Sequence, residues 1–294
     1  MTSQLQELVD ECPSDRKCAW NFLYKTTGNF KDLPIYRCKN CLLQALHPRP
    51  SQKEIYDEEY YTGKAEYSYI DERESESFHA HVWDARIKNI LKFTGPGVLL
   101  DVGSSFGGFL RRAKQFGFTV QGVEYSSFSG AYANQNGIPT FIGKLTEVDF
   151  PKESFDVITM VEVLEHLENP REVFATLGRL LKKGGLLLIQ TANFEGLQAV
   201  NEGAQYHYYL PGHLYYYCHQ NLVQFLERVG FTKFNPYFGV DFPLMAKLLK
   251  ARGDFQKVSD YQKWFKISLY HILSKMKKDG KPVTSSYVLY ATKG

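Results

Sequence analysis

Short apolar runs alternate with amphipathic helical stretches between residues 98 and 190. This alternation predicts an α/β fold in which helices cover both faces of a mostly parallel sheet. Ligands of such sheets bind at the carboxyl ends of the strands. We therefore expect Asp101, Glu124, Gly143 and residues 160–166 to surround one crevice. The predicted strands are 98–102, 119–124, 139–142, 155–160 and 186–190, and the predicted helices are 107–116, 127–136 and 170–181.

The segments on either side of this core have different patterns. A helix is predicted at 72–93, and the core continues with a helix at 221–229 and strands at 231–238 and 286–293. Between the last two strands, residues 241–283 mix apolar side chains with lysines, which predicts a helical insertion that serves as a lid or a dimer element. A basic amphipathic helix there leaves contact with a membrane surface as an alternative.

The first 50 residues contain four of the five cysteines. Cys38 and Cys41 form a C-x-x-C knuckle, which directs two thiolates to one point. Cys12 and Cys18 are spaced more widely than a usual second knuckle, and Asp15 stands where its cysteine would be expected. Two interpretations stay open: a structural zinc site made by all four cysteines, or a vestigial ribbon held together by aromatic and aliphatic packing.

Residues 51–94 are predicted to form a helical cap and linker. Ser51 and Glu54 fit a capping box that starts a short helix. Several tyrosines follow that could line a ligand pocket or simply pack at the surface: Tyr56, Tyr60, Tyr61, Tyr67 and Tyr69.

The stretch 98–110 reads as strand, glycine turn and helix. Gly103 and Gly107 allow the backbone to approach a ligand where a β-carbon would collide, and the free N–H groups of the new helix face that ligand. Glu124 ends the next apolar run, about twenty positions farther on. A carboxylate at that position can accept hydrogen bonds from both hydroxyls of a ribose.

Asp101-Val-Gly103-x-x-x-Gly107 resembles motif I of class I S-adenosylmethionine (SAM) methyltransferases, with Ser105 at a position where the family usually has glycine. The block 155–170 is similar to the segment after the fourth strand in ubiquinone-biosynthesis O-methyltransferases. The turn at 184–185 and the segment 191–193 also resemble these enzymes. The resemblance covers residues 95–240 and implies a Rossmann-like, seven-stranded sheet whose last strand lies at 284–294, and SAM as cofactor. The implied SAM-binding residues are Asp101, Gly103, Ser104, Gly107, Glu124, Tyr125, Gly143, Lys144, Leu145, Met160 and Val161.

The N-terminal segment resembles the zinc ribbon of some bacterial methyltransferases, including sugar C-methyltransferases. The expected organisation is a ribbon at 1–50, a cap at 51–94, the core at 95–240, the insertion at 241–283 and the last strand at 284–294. The resemblance implies that zinc, where bound, is structural and is held by Cys12, Cys18, Cys38 and Cys41.

His166 and His213 are the candidate catalytic residues. An oxygen or nitrogen acceptor needs a base, and the imidazole pKa lies near working pH; the alternative is a pair of histidines that only shape the pocket. Glu162, Glu165 and His166 have the spacing of one helical turn, so with His213 they could bind a divalent ion. A similar pattern occurs in metal-dependent small-RNA 2′-O-methyltransferases. The other interpretation is that both glutamates bond to the local backbone.

Composition narrows the function classes. The 294 residues carry a net charge of +3, which is too mild to favour a nucleic-acid partner. No apolar run reaches the roughly 18 residues of a membrane span, and the N-terminus does not have a signal-peptide layout. Together with the resemblance, which implies a SAM-dependent methyltransferase acting on a sugar, quinone-like or lipid-linked small molecule, these features lead us to expect a cytoplasmic enzyme. A homodimer is compatible with the sequence. The alternative functions are a non-catalytic SAM-binding module and an RNA 2′-O-methyltransferase.

Overall fold

The computed structural model describes residues 5–14, 18–50 and 71–294. The strands are β1 (Trp20–Thr27), β2 (Lys31–Cys38), β3 (Gln44–Leu46), β4 (Val98–Val102), β5 (Thr119–Glu124), β6 (Thr140–Ile142), β7 (Phe155–Val161), β8 (Leu181–Ala192), β9 (Tyr215–Tyr216), β10 (Phe231–Phe238), β11 (Lys277–Lys278), β12 (Lys281–Pro282) and β13 (Ser286–Lys293). The α-helices are α1 (Gln6–Glu11), α2 (Glu76–Ile90), α3 (Gly108–Gln115), α4 (Ser127–Gln135), α5 (Pro170–Leu180), α6 (Leu197–Glu202), α7 (His219–Arg228), α8 (Leu244–Arg252) and α9 (Gln262–Leu273).

A seven-stranded sheet forms the centre of the protein, in the order β10-β13-β8-β7-β4-β5-β6. Strands β4 to β8 pair in parallel, whereas β13 runs antiparallel to both β8 and β10. The predicted α/β fold with a mostly parallel sheet is therefore confirmed. The chain continues from β4 to β5 on one side and places β7 on the other, so the strand order reverses beside β4. A reversal of this kind opens a crevice at the carboxyl ends of the strands.

The central strands are apolar on both faces because helices cover both sides of the sheet. Leu99, Val157 and Leu188 pack in one buried cluster with residues of α2 and α3. Leu100 and Ile158 pack in the other cluster, with residues of α5 and α7. Consecutive residues of each strand thus point into opposite halves of the core, which fixes the register of the strands and the level at which each one ends.

Strand β8 is longer than predicted. It begins at Leu181 rather than at residue 186, and it includes the glycine pair that the sequence assigned to a preceding turn. Phe155 pairs with Leu181 and Val157 pairs with Leu186, so residues 182–185 bulge out of the ladder. Gly184 has a φ of 75°, a conformation that glycine adopts without strain. The helix predicted at 72–93 is also shorter in the structure, at Glu76–Ile90.

The N-terminal segment and the insertion flank this core. Strands β1, β2 and β3 form a smaller antiparallel sheet whose fourth strand, β9, comes from the aromatic stretch after β8. Helices α8 and α9 and a short hairpin occupy the predicted insertion. The helices of the described segments are all too short or too polar to cross a lipid bilayer. The capping box at Ser51 and the tyrosines between residues 56 and 69 lie outside the described residues.

Candidate active site

The turn after β4 brings the backbone close to its neighbours. Gly103 has a φ of 73°, and a β-carbon there would lie only 2.4 Å from Cγ2 of Val163. Gly107, with a φ of 78°, is the residue before α3. Both positions require glycine because of conformation, and at Gly103 the close approach of Val163 adds a steric reason.

Glu124 ends β5 beside this turn and is only 3% exposed. Its two carboxylate oxygens accept hydrogen bonds from the backbone N–H groups of Ser105, at 2.8 Å, and Ser126, at 2.9 Å. These bonds fix the direction of the carboxylate. A carboxylate oxygen has two lone pairs, so each oxygen can also accept from a ligand hydroxyl.

A cavity of about 830 Å³ opens at the carboxyl ends of the strands. Many of the predicted cofactor-binding residues line it together with both candidate histidines: Gly103, Glu124, Tyr125, Gly143, Lys144, Leu145, Val161, His166 and His213. The structure thus brings the predicted glycine turn, acidic residue and histidines to one place. Cavities of this size accommodate small molecules and cofactors.

Other predicted cofactor-binding residues lie behind the wall of the cavity. Asp101, Ser104, Gly107 and Met160 are not among the lining residues. The Thr159 hydroxyl donates to Asp101 at 2.6 Å, and burial raises the pKa of Asp101 to about 7. The bond to Thr159 joins β4 to the neighbouring strand β7, so Asp101 positions the glycine turn from inside the sheet.

His166 and His213 face each other, with ring centroids 4.6 Å apart. Nδ1 of His166 lies 2.9 Å from the Gly212 carbonyl, and Nδ1 of His213 lies 2.8 Å from the Tyr208 carbonyl. A carbonyl oxygen only accepts, so Nδ1 carries the proton in both rings and Nε2 carries the lone pair. Burial lowers the pKa of His166 to about 4 and that of His213 well below its usual value, which keeps both rings neutral at pH 7.

Two carboxyl groups share the hydroxyl of Tyr208. This hydroxyl contacts Glu162 Oε2 and lies 2.5 Å from Glu165 Oε1. One O–H group can donate only once, so the second contact requires a proton on a carboxyl group. Glu162 lines the cavity; desolvation there, followed by the charge of Glu165, raises its pKa to about 7. Burial raises the pKa of Glu165 in the same direction.

The predicted helical turn that would unite Glu162, Glu165 and His166 is different in the structure. Glu162 has a φ of 56°, and a short 3₁₀ turn covers only Leu164–His166. Glu165, His166 and His213 have potential ligand atoms within 4.8 Å of one another. Glu162 does not belong to this group, since the left-handed residue turns its side chain toward Gln190 and Tyr208.

Sequence reasoning missed several residues of the site. Ser105 lines the cavity, and its buried hydroxyl has no hydrogen-bond partner in the described structure. Tyr208 bridges the two glutamates from more than forty residues away. A buried Arg86–Asp241 ion pair, 3.0 Å long, contacts Gln190, which in turn donates to Glu162. Only Ser105 had a local signal, because it occupies a glycine position of the motif.

The four N-terminal cysteines form a second cluster, and none of them lines the cavity. Sγ atoms of Cys12, Cys18, Cys38 and Cys41 all lie within 4.8 Å of one another, and all four residues are buried. Sγ of Cys12 is 3.6 Å from Sγ of Cys41, far longer than a disulfide bond of about 2.05 Å. Sulfur atoms in a tetrahedral zinc site are about 3.8 Å apart. The spacing between the two cysteine pairs therefore does not prevent a four-thiol cluster.

Comparisons with known proteins agree with this geometry. A family model described as a methyltransferase domain matches residues 75–234. The chain is similar to the ubiquinone biosynthesis O-methyltransferase of Glaesserella parasuis, with 29% identity over 47% of this chain and 69% of that relative. It is also similar to the enzyme of the same name from Actinobacillus pleuropneumoniae, with 33% identity over 37% of this chain and about half, 52%, of that relative.

Two solved structures share the fold. A SAM-dependent methyltransferase from Archaeoglobus fulgidus superposes with a TM-score of 0.52 and 18% identity, covering 74% of this chain and 97% of that chain. Phosphoethanolamine N-methyltransferase 2 from Haemonchus contortus, in complex with SAM, gives a TM-score of 0.54 and 15% identity over 95% of this chain and 69% of that chain. At these identities the likeness shows the architecture alone.

Proposed function

This chain belongs to the methyltransferase-domain family and is a SAM-dependent methyltransferase, and from that premise we propose that it methylates an oxygen or nitrogen atom of a small molecule. The observation that carries the proposal is the single cavity shared by Glu124, the turn at Gly103 and the histidine pair. Cofactor and acceptor must meet in one enclosed space for direct transfer, because the reaction is an in-line displacement.

The residues present fit SAM. The cofactor supplies an electrophilic methyl group when it is bound. Glu124 is positioned to accept hydrogen bonds from a ribose diol, and the unpartnered hydroxyl of Ser105 offers a further polar contact at the cavity wall. Gly103 lines the cavity, and its lack of a side chain lets Val163 pack closely against the turn.

His166 is the proposed general base. Its Nδ1–H is fixed on the Gly212 carbonyl, so Nε2 is the ring nitrogen that carries the lone pair and would take the acceptor proton. An acceptor O–H or N–H becomes acidic as the new bond to carbon forms, so a neutral imidazole of low pKa is sufficient to take the proton. The His213 ring packs edge-on against the His166 ring and holds it in place. His213 is the second candidate base.

The acceptor is proposed to be a sugar, a quinone-like ring or a lipid-linked precursor. Apolar and aromatic side chains, including Tyr208 and Leu210, share the cavity wall with the histidines. The similarity to ubiquinone biosynthesis O-methyltransferases supports a small-molecule acceptor. A small net charge of +3 gives no support to RNA as the acceptor.

A label-transfer experiment tests the proposal. The protein is incubated with SAM carrying a tritiated methyl group and, separately, with the small-molecule, protein and RNA fractions of a cell extract. Label in the small-molecule fraction is the expected result. Label in RNA alone would favour the alternative RNA methyltransferase, and SAM binding without transfer to any fraction would favour a non-catalytic binding module.

A metal-assisted reaction is the second candidate, and the cluster of Glu165, His166 and His213 favours it. One carboxylate and two imidazoles suit a divalent transition ion. These residues would hold the ion beside the cavity, where it would polarise an acceptor oxygen. A chelator that abolishes label transfer, with recovery upon addition of a divalent ion, would support this candidate over His166 acting as a base.

We also propose that zinc occupies the cluster of Cys12, Cys18, Cys38 and Cys41. The short Cys38–Cys41 knuckle is closed by a hydrogen bond of 3.0 Å from the Leu42 N–H to the Cys38 carbonyl. Four buried thiolates would fill a tetrahedral coordination sphere, which leaves no position for chemistry. Elemental analysis of protein purified without chelator should show about one zinc per chain, and its absence would leave the vestigial interpretation.

A further inference from the structure

Helix α9, in the insertion, has two different faces. Trp264, Ile267 and His271 point inward, and the Trp264 indole N–H donates to the Leu248 carbonyl of α8 at 3.1 Å. The opposite face is apolar yet uncovered. Phe265 is 74% exposed and Ile272 is 57% exposed.

The exposed apolar side chains form one continuous stripe. Phe265, Leu269 and Ile272 are spaced by four and three residues, which places them on one side of α9, and Met276 follows three residues after the end of the helix. Each is more than two-fifths exposed. Large apolar side chains that are exposed together along one face mark an interaction surface more often than single exposed ones do.

The charge around the stripe is strongly positive. Residues 241–283 contain ten lysines and arginines against four aspartates and no glutamate, a net charge of +6, whereas the whole chain has +3. The remainder of the chain is therefore mildly acidic. Lys266 on α9, and Lys275 and Lys278 in the segment that follows it, are exposed and make no ion pair with another described residue. This part of the surface thus combines exposed apolar side chains with concentrated positive charge.

We propose that the outer face of α9, together with these lysines, binds the surface of an anionic lipid membrane. An amphipathic helix with lysines beside its apolar face lies in the plane of the interface, where the apolar side chains enter the acyl boundary and the lysines meet the headgroups. A second copy of the chain fits less well. A two-fold dimer through α9 would bring two segments of charge +6 together without a compensating acidic surface.

Vesicle co-sedimentation tests the proposal with the full chain. Vesicles of phosphatidylcholine containing phosphatidylglycerol should sediment the protein, whereas pure phosphatidylcholine vesicles should not. Binding should fall as salt is raised, because screening weakens the attraction to the headgroups. The absence of binding at every phosphatidylglycerol content would overturn the proposal.

Two sets of variants assign the binding to α9. Phe265→Ser combined with Ile272→Ser should weaken partitioning about tenfold or more, whereas Phe22→Ser with Val200→Ser, which changes exposed apolar residues elsewhere, should not. Replacement of Lys266, Lys275 and Lys278 by Gln should also weaken binding, in contrast to the same change at exposed Lys39, Lys152 and Lys183. All five control positions lie outside the insertion, and thermal melting verifies that each variant is folded.

Light scattering tests whether a second copy of the chain, instead of a membrane, covers the stripe. A monomeric protein, with equal mass in the wild type and the Phe265→Ser/Ile272→Ser variant, is the expected result. A wild-type dimer that dissociates in this variant would show that a second copy covers the stripe, and the membrane proposal would then be wrong. Equal vesicle binding by this variant and by its Phe22→Ser/Val200→Ser control would also contradict it.

Discussion

The two clusters of potential ligand residues differ in what surrounds them. The cysteine cluster is closed: Cys12, Cys18, Cys38 and Cys41 are all buried and pack into the hydrophobic core. The cluster of Glu165, His166 and His213 is open on one side, because both histidines line the main cavity. Closed metal sites stabilise a fold, whereas catalytic groups require space for a substrate. On the basis of these surroundings, more than of residue type, we propose a structural role for the first cluster and a chemical role for the second.

The difference extends to the support behind each cluster. Cys12 comes from the segment after α1 and Cys38 from the end of β2, so the thiols join local elements of the N-terminal sheet. The histidines are instead fixed through backbone carbonyls of the loop between α6 and β9. Removal of a thiol should therefore reduce stability, and removal of an imidazole should reduce turnover.

The largest expected effect is a loss of stability when one cysteine of the closed cluster is replaced. Cys38→Ser should lower the free energy of unfolding by more than about 5 kcal/mol if zinc is bound, because the metal-binding energy contributes directly to folding. Chemical denaturation measures the change. Cys218→Ser is the matched control, since Cys218 is buried outside the cluster. Equal losses in the two variants would contradict a structural metal site.

The next largest effect is expected on the rate of methyl transfer when a histidine of the open cluster is replaced. His166→Ala should lower the initial rate of methyl transfer by roughly 10²–10⁴-fold, because a positioned base is lost. SAM affinity and the melting temperature should change little. His207→Ala is the control, since His207 is exposed, contacts Glu202 and the Tyr206 ring, and does not line the cavity. A rate like that of the wild type would remove His166 from the chemistry.

A smaller effect concerns the cofactor side of the cavity. Glu124→Ala should weaken SAM binding by about 1–3 kcal/mol, since the acceptor of ribose hydroxyls is lost. Calorimetric titration measures it, with Glu153→Ala as a control at a surface position away from the cavity. Unchanged SAM affinity would contradict the assignment of Glu124 as a SAM-binding residue. A preference for NAD over SAM would contradict it more strongly.

The smallest effect concerns one hydroxyl. Ser105→Ala should weaken SAM binding by about 0.5–1.5 kcal/mol, the typical contribution of one hydrogen bond. Ser129→Ala is well matched, because the Ser129 hydroxyl is also buried without a partner but does not line the cavity. The same calorimetric titration compares the two. Equal affinities would mean that the Ser105 hydroxyl does not contact the cofactor.

The sequence predicted those parts of the site that depend on local pattern. The pattern on the cofactor side lies within 27 residues and consists of strand β4, the glycines at 103 and 107, and the acidic end of β5. Because these elements are so close in sequence, each one restricts where the next can lie. Local pattern also predicted the strands and helices of the core, because burial against the sheet sets the periodicity of their apolar residues.

The rest depends on contacts between distant residues. Tyr208 reaches Glu162 and Glu165 only because the chain returns after β8, and no spacing rule predicts such a bridge. The left-handed conformation of Glu162 ends the helical turn that the spacing favoured. Strand β9 completes the N-terminal sheet from 170 residues away, which no composition break at residue 50 could indicate.

A crystal structure with SAM bound tests the central claim most directly. The account predicts that the ribose hydroxyls contact Glu124 and that the sulfonium methyl points into the space beside Nε2 of His166 and His213. An acceptor atom placed in line with that methyl should then lie within hydrogen-bonding reach of one imidazole. A cofactor bound elsewhere, or a methyl directed away from both rings, would contradict the assignment of the open cluster to the chemistry.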